Sequence, residues 1–593
     1  MNNYESAGNE FTNNVHDYVV IGSGFGGGVS AMRLSQKGYK VLVLERGKRY
    51  SAEDFPKTNW HVSKYLWLPA ARCFGIMGLN FFDDIWILNG SGVGGGSLVY
   101  ASTHIKPSKE FFEAQEWQKL ADWEAELAPH FETANRMLGV AENPLYWPAD
   151  HALHDIAEEL GKEETFKPTP VAIFFGEPGE VVSDPFFDGE GPERAGCIHC
   201  GGCMVGCRHN AKNTLDKNYL YFAEKWGAEI RAEANVLDIR PLYGPQPDNA
   251  RYEVVYEHIT DWFMKRKQVV RTRNVVVAGG VLGTVDLLLK CRDESGSLPK
   301  LSRRLGLRVR SNSEALIGVT ARETAQDFSE GVAITSHFWV DEVTSVEPVR
   351  FPPGSSFMRT LMLPLESLKG KTTLAHFGHA LWEGLKRPFD LLTVRVLPKW
   401  PEKNTVLLVM QTLDNRMSLR RGRSLWTLGF KGLVTHRDPD QPIPTVIETG
   451  RAILNRFADK VNGVPWVGMN ELMNKPNTAH VLGGCGIGGN ETEGVVDVNQ
   501  QVFNYPGLYV ADASVIPVNL GVNPSLTITA MTERAMAHIP QKVDAPPLEP
   551  LQKPEGLELV QRKDGRFLQK ALPFIFALLP LSLLFLFKTF KRK

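Results

Sequence analysis

The sequence predicts an α/β protein. A discontinuous Rossmann-type dinucleotide-binding domain is joined to a second domain of sheet and helices, with an apolar helix at the C-terminus. Three observations lead there. The chain opens on an apolar run, a glycine loop, a helix and a second apolar run, HDYVVI, GSGFGGG, VSAMRLSQKGYK and VLVLE. A strand, glycine turn and helix recur at 274–290, NVVVAGGVLGTVDLLLK. The pattern returns near the end, where GLYVADASVIP leads into NLGVNPSLTITAMTERAMAHI.

The 593 residues are 43% apolar and 22% charged, with a formal net charge of -1. That length leaves room for two or more domains. The near-neutral balance gives no electrostatic case for a nucleic-acid partner. Of the 54 glycines, 15 cluster at 22–28, 90–96 and 483–489, so these clusters are local devices. No basic region followed by an apolar run opens the chain, so a secretory signal is not expected. The bulk of the protein is expected in the cytoplasm, where thiols stay reduced.

In the first glycine loop, Gly22 makes the tight turn and Gly24 lets backbone approach a pyrophosphate. Gly27 allows helix and strand to pack closely, and the N-terminus of the helix that follows turns its positive dipole end to the phosphates. Glu45 closes the second strand, where a carboxylate accepts hydrogen bonds from a ribose. Gly90, Gly92 and Gly95 repeat the glycine spacing, but SLVYASTHIKP follows instead of a helix and an acid-ended strand. This second loop is read as a backbone approach to the same cofactor. A nucleotide domain assembled from distant segments suits a flavin dinucleotide that spans it.

Cys197, Cys200, Cys203 and Cys207 have C-x2-C-x2-C-x3-C spacing, as in iron–sulfur proteins. Arg208 stands where ferredoxins carry proline, and no second set of four exists. Three readings stay open: an iron–sulfur cluster, zinc, or structural thiols, reduced or disulfide-paired. Cys73, Cys291 and Cys485 are scattered and read as small buried apolar residues. At the C-terminus, 571–587 carry no charge and are flanked by Lys570 and Lys588. After a Pro-rich linker over 541–567, a membrane tail is predicted over 568–590.

On GSGFGGG with Glu45, NGSGVGGGSLVYAS, VVVAGGVLGTVDLLL, HVLGGCGIGG and GLYVADASVIPVNLGVNPSLTITAMTERAM, the chain resembles the glucose–methanol–choline oxidoreductases, and among them the cholesterol oxidase branch. These stretches span 17–538. The resemblance implies oxidation of a hydrophobic alcohol, a sterol-like 3β-hydroxyl first, by non-covalent FAD. Gly22, Gly24, Phe25, Gly27 and Glu45 would hold its ADP half. Gly95 and Ser97 would lie by the flavin, and Val236 would meet the adenine through its backbone. Asp512 would bind near the ribityl chain. His480 would serve as acid and base, with Asn523 against the ring and the substrate oxygen.

Isomerising relatives use a glutamate of the substrate domain, for which Glu402 is only a loose match and is not assigned. The electron acceptor would be dioxygen or a membrane quinone, and the tail would meet membrane lipid. Two further readings are a long-chain alcohol dehydrogenase feeding quinone and a non-catalytic membrane flavin carrier. The implied FAD domain takes 12–110, 195–320 and 470–540. The substrate domain takes 111–194 and 321–469, where clustered aromatics such as those of HFGHALW would line an apolar pocket or pack the core.

Overall fold

The strand His16–Ile21 is buried at all six positions. It runs parallel to Val41–Leu44 on one side and to Lys267–Val277 on the other. Such strands, covered on both faces, read as unbroken apolar runs, and these do. Glu229–Arg231 continues the sheet beyond Val41–Leu44. The long strand Lys267–Val277 has two neighbours along its other edge. Residues 267–272 pair antiparallel with Tyr252–His258, and 275–277 pair parallel with Leu508–Val510. Ala234–Pro241 completes the seven strands. Segments almost 500 residues apart thus share one sheet. The computed structural model describes residues 15–546 and Leu551, apart from 263–264, 324 and 371.

A second seven-stranded sheet has the order Met362–Leu363, Gly463–Gly468, Ala315–Ala321, Asn404–Gln411, Thr344–Val349, Ser336–Trp339 and Lys167–Pro168, with every pairing antiparallel. Successive side chains of a strand face opposite ways. Leu407 and Val409 therefore pack under helices Pro148–Glu159 and Glu448–Lys460, with Ile156, Leu454 and Phe457. Leu408 and Met410 point to the other face, into a cluster that includes Leu98 and Val99 from just after the second glycine loop. This face of the sheet roofs the cofactor side of the first domain.

Two details differ from the domain limits read from the sequence. Ala315–Ala321 belongs to the second sheet, so a division at 320/321 cuts a strand. The helix Trp123–Leu138, expected in the substrate domain, packs against Ser525–Ala537 and buries Trp123, Leu127 and Phe131 in the core of the first domain. Its apolar spacing announces a buried face, but periodicity does not say which surface covers it. The C-terminal apolar helix and membrane tail lie outside the described residues. Among the described residues, no helix is long and apolar enough to cross a membrane.

Candidate active site

Three strand ends meet at the first glycine loop. Gly22 has φ +98°, and a Cβ there would sit 2.3 Å from the Ala278 carbonyl oxygen. At Gly26 and Gly27 a Cβ would lie 1.5 Å from the Ala511 oxygen and 2.0 Å from the Gly22 oxygen. These glycines let backbone pass against backbone. Gly24 differs: a Cβ there meets nothing within 4 Å, so its missing side chain leaves open space. The second loop lies directly on the first, since a Cβ on Gly95 would be 2.6 Å from Gly24 Cα. Phe25 starts the helix and packs edge-on against Tyr100, ring centres 5.5 Å apart.

Glu45 is buried, and its Oε2 accepts from Ser23 N at 3.0 Å and Ser23 Oγ at 2.8 Å. Its Oε1 accepts from Gly47 N at 2.8 Å. Val236 lies in the strand that begins beside this acid, where Ala234 N donates to the Glu45 carbonyl at 2.8 Å. Ser97 is wholly buried; its hydroxyl donates to Gly94 O at 2.7 Å and accepts from Leu215 N at 3.1 Å. That hydroxyl fastens the turn from inside. Asp512 ties its own loop to the glycine turn at 279–280. Its Oδ2 accepts from Gly280 N (2.9 Å) and Thr284 Oγ1 (2.5 Å), its Oδ1 from Ser514 N (2.8 Å) and Oγ (2.5 Å). The open cradle over Gly24, at a helix N-terminus and next to a buried acid, fits a dinucleotide phosphate and ribose.

Across the cofactor side, the second sheet presents ionisable groups. Glu314 lies just before the strand Ala315–Ala321, and its Oε1 is 2.8 Å from His480 Nδ1. Thr478 Oγ1 donates to the same oxygen at 2.7 Å, and Ala479 N to Oε2 at 2.9 Å. Burial alone would raise the Glu314 carboxyl, but His480 and these donors hold it below its usual range. For His480, burial favours the neutral ring, yet the carboxyls of Glu314 and Glu347 keep its pKa above the usual value. Nδ1 is engaged, so Nε2 is the nitrogen left for a substrate.

Glu347 is wholly buried. It stands opposite Leu408 in register, and cross-strand partners share a face, so it points to the cofactor side. Asn523 Nδ2 makes a long contact of 3.5 Å to its Oε2. Burial, against the pull of His480 and Asn523, raises its pKa to about 7. Glu347 Oε1 and Asn523 Oδ1 are both buried without a hydrogen-bond partner within the chain. A pair of unmatched buried oxygens marks a place built to receive polar hydrogens. Asn523 is held by its own loop, whose Val522 carbonyl accepts from Asn312 Nδ2 at 2.8 Å.

His480 and Asn523, 43 residues apart in sequence, are each related to Glu347, Asn523 by the long contact and His480 by its charge. Glu314 and Glu347 were missed. The available signal was an ionisable residue inside an apolar strand, as in TSVEPV, since buried charge is costly unless it has work or a partner. Glu402 sits in the turn Trp400–Lys403, before the strand that carries Leu408, so Glu347 takes the place for which Glu402 was a loose match.

All seven cysteines are free, which removes disulfide pairing for the four clustered ones. Cys291 and Cys485 are buried as expected, whereas Cys73 is half-exposed at the short strand Cys73–Phe74. The aromatics of HFGHALW do not line a pocket: Phe377 and Trp382 face outward at 50% and 58% exposure.

Comparison with known proteins agrees with this geometry. A family model described as GMC oxidoreductase matches residues 445–532, and one for an NAD(P)-binding Rossmann-like domain matches 20–55. A cholesterol oxidase of Acinetobacter baumannii is 43% identical over 532 residues, covering 89% of this chain and 95% of that protein. One from Mycobacterium tuberculosis is 41% identical, covering 89% of this chain and 91% of its own. In fold, a pyridoxine 4-oxidase crystal structure superposes with a TM-score of 0.56 at 16% identity, over 88% of this chain and 99% of that one.

Proposed function

The chain belongs to the GMC (glucose–methanol–choline) oxidoreductase family, in its cholesterol oxidase-like part, and we infer that it oxidises a lipophilic alcohol with FAD. A sterol-like 3β-hydroxyl becomes the carbonyl. The observation that carries this reading is the set Glu314, His480, Glu347 and Asn523, all but His480 buried, on the cofactor side. When bound, FAD supplies the hydride acceptor. Gly24 and Glu45 would hold its phosphates and ribose.

The chain's own residues handle the proton. Glu314 holds the Nδ1 proton and so strengthens Nε2 as a base. His480 Nε2 takes the hydroxyl proton, while Asn523 Nδ2 orients the substrate oxygen. Leu98, Val99, Leu408 and Met410 supply an apolar wall that keeps water away. With a pKa near neutrality, Glu347 can take up and return a proton. It serves to move a proton from the α to the γ carbon of a β,γ-unsaturated ketone, an isomerisation that conjugates the double bond. Dioxygen takes the electrons, as the oxidase relatives suggest.

The substrate reaches the enzyme from lipid. Helices Thr373–Lys386 and Pro388–Arg395 turn Leu374, Leu381, Trp382, Leu385 and Phe389 outward at 58% exposure or more. Lys369 and Lys399, both exposed, flank the two helices in sequence, whereas Lys386 and Arg387 pair with Glu383 and Glu366, so the apolar side chains carry the lipid contact. On the inner side, Val394 joins the cluster containing Leu98 and Val99. The uncharged stretch 571–587 supplies a second lipid contact. Free cysteines support a cytoplasmic catalytic part.

The reading is tested by mixing the FAD-loaded protein anaerobically with 3β-hydroxysterols and with long-chain primary alcohols. Loss of the flavin's visible absorbance with the sterol supports it. Loss with the linear alcohols alone shifts the substrate, and no loss with either overturns it.

A further inference from the structure

Cys197, Cys200, Cys203 and Cys207 all line one cavity of about 140 Å³. The loop is folded to put them there. His199, Gly201 and Gly206 take φ of +55°, +67° and +93°. A Cβ on Gly201 would lie 2.3 Å from Ser329 O, and one on Gly206 2.2 Å from the Phe55 ring, so the loop is pressed against its neighbours. Gly201 N donates to Gly331 O at 2.7 Å and Gly331 N to His199 O at 2.8 Å, which clamps it. His199 N points at Cys197 Sγ, 3.4 Å away.

The sulfur spacing is informative. None of these thiols is in a disulfide. Among the described residues, the only group of three or more ligand atoms mutually within 4.8 Å is the surface set His154, Asp155 and Glu158. So no three of the four sulfurs come that close together. One zinc with Zn–S bonds of ~2.3 Å needs its sulfurs roughly 3.8 Å apart. Four sulfurs around a cavity, wider than one ion requires, suit a group with several metal atoms, each taking one thiolate.

The charge beside them agrees. Lys212 is buried, and its ammonium donates to three carbonyls: Cys203 O at 2.7 Å, Leu98 O at 3.0 Å and Tyr100 O at 3.2 Å. Among the described residues it has no ion-pair partner, and an uncompensated buried cation is costly. Four thiolates on an iron–sulfur core supply the missing negative charge. Leu98 and Tyr100 follow the Gly95–Ser97 turn, so the same lysine ties the cysteine loop to the cofactor side.

We propose that Cys197, Cys200, Cys203 and Cys207 bind an iron–sulfur cluster, each sulfur holding one iron, next to the flavin-facing turn. The inference does not rest on the alcohol chemistry, because the metal is measured on the chain itself.

The test purifies the full chain anaerobically from iron-supplied cells and counts iron, acid-labile sulfide, zinc and FAD separately. The expected result is about four iron and about four sulfide per chain, with a paramagnetic signal after reduction. Charge-transfer absorbance should remain once FAD is extracted. Cys200→Ser and Cys207→Ser should each lose iron and sulfide while retaining FAD. Protein that carries FAD but takes up neither iron nor sulfide, even after reconstitution with both, overturns the proposal. So does stoichiometric zinc, or iron that survives both substitutions. If the variants fail to fold, the wild-type metal and sulfide content decides alone.

Discussion

Glu314 Oε1 lies 2.8 Å from His480 Nδ1, although 166 residues separate them in the sequence. Thr478 and Ala479 donate to the same carboxylate and help to hold it in place. Such a buried acid fixes both the tautomer and the basicity of the ring.

Replacing His480 by Gln should lower the rate of flavin reduction by the alcohol about 10²-fold or more, while FAD stays bound. Stopped-flow bleaching of the flavin measures it. An unchanged rate would remove His480 from the proton transfer.

The pH profile should answer to Glu314. His480 is held above its usual pKa, so its base form is lost as pH falls through that raised value. Glu314→Gln removes the first opposing charge and leaves burial to lower the ring's pKa. The acid limb of kcat/KM should therefore move to lower pH. A limb that stays put would assign it to another group.

Glu347→Gln should keep alcohol oxidation within about 10-fold but abolish conversion of the 5-ene ketone to the conjugated 4-ene, followed by the enone's ultraviolet absorbance. The same variant has a stability signature. Folding raises this carboxyl from 4.5 to about 7, so the unfolded chain loses the proton first. The wild type then loses stability as pH rises from 4.5 to 7, with a loss on the order of 3 kcal/mol at the alkaline end. Glu347→Gln should raise the melting temperature at pH ~8 and change it little near pH ~4.

Gly24 and Gly26 should separate binding from folding. Gly24→Val places its side chain in open space, so the protein should fold but emerge colourless. Gly26→Ala drives a Cβ to 1.5 Å from the Ala511 oxygen and should prevent folding outright. Circular dichroism and flavin content distinguish the two.

Leu381→Asp with Trp382→Asp should reduce flotation on anionic vesicles by about 10-fold or more. The comparison uses a chain cut before residue 568, so that the C-terminal stretch does not mask the effect. If that shortened chain, unsubstituted, fails to bind vesicles, the helical face does not meet lipid.

Much of the cofactor half was legible because its information is local. GSGFGGG, its flanking apolar runs and Glu45 lie within some thirty residues. A tight turn, a helix N-terminus and an acid-ended strand each follow from neighbours in the chain. His480 and Asn523 were legible only through the stretches around them. A histidine before a glycine turn carries no chemistry in its spacing.

The sequence by itself determined which residues form the buried parallel strands, where glycine is obligatory, and that four cysteines travel together. Only the tertiary structure decided that Glu314 steadies His480 and that Glu347 faces Asn523. It also decided which surface covers Trp123 and Phe131. The reason is physical: a strand's pattern tells which side chains are buried, whereas register and sheet packing choose their partners. The free energy of an ionisable group depends on those partners, so its chemistry appears when the two sheets close over one another.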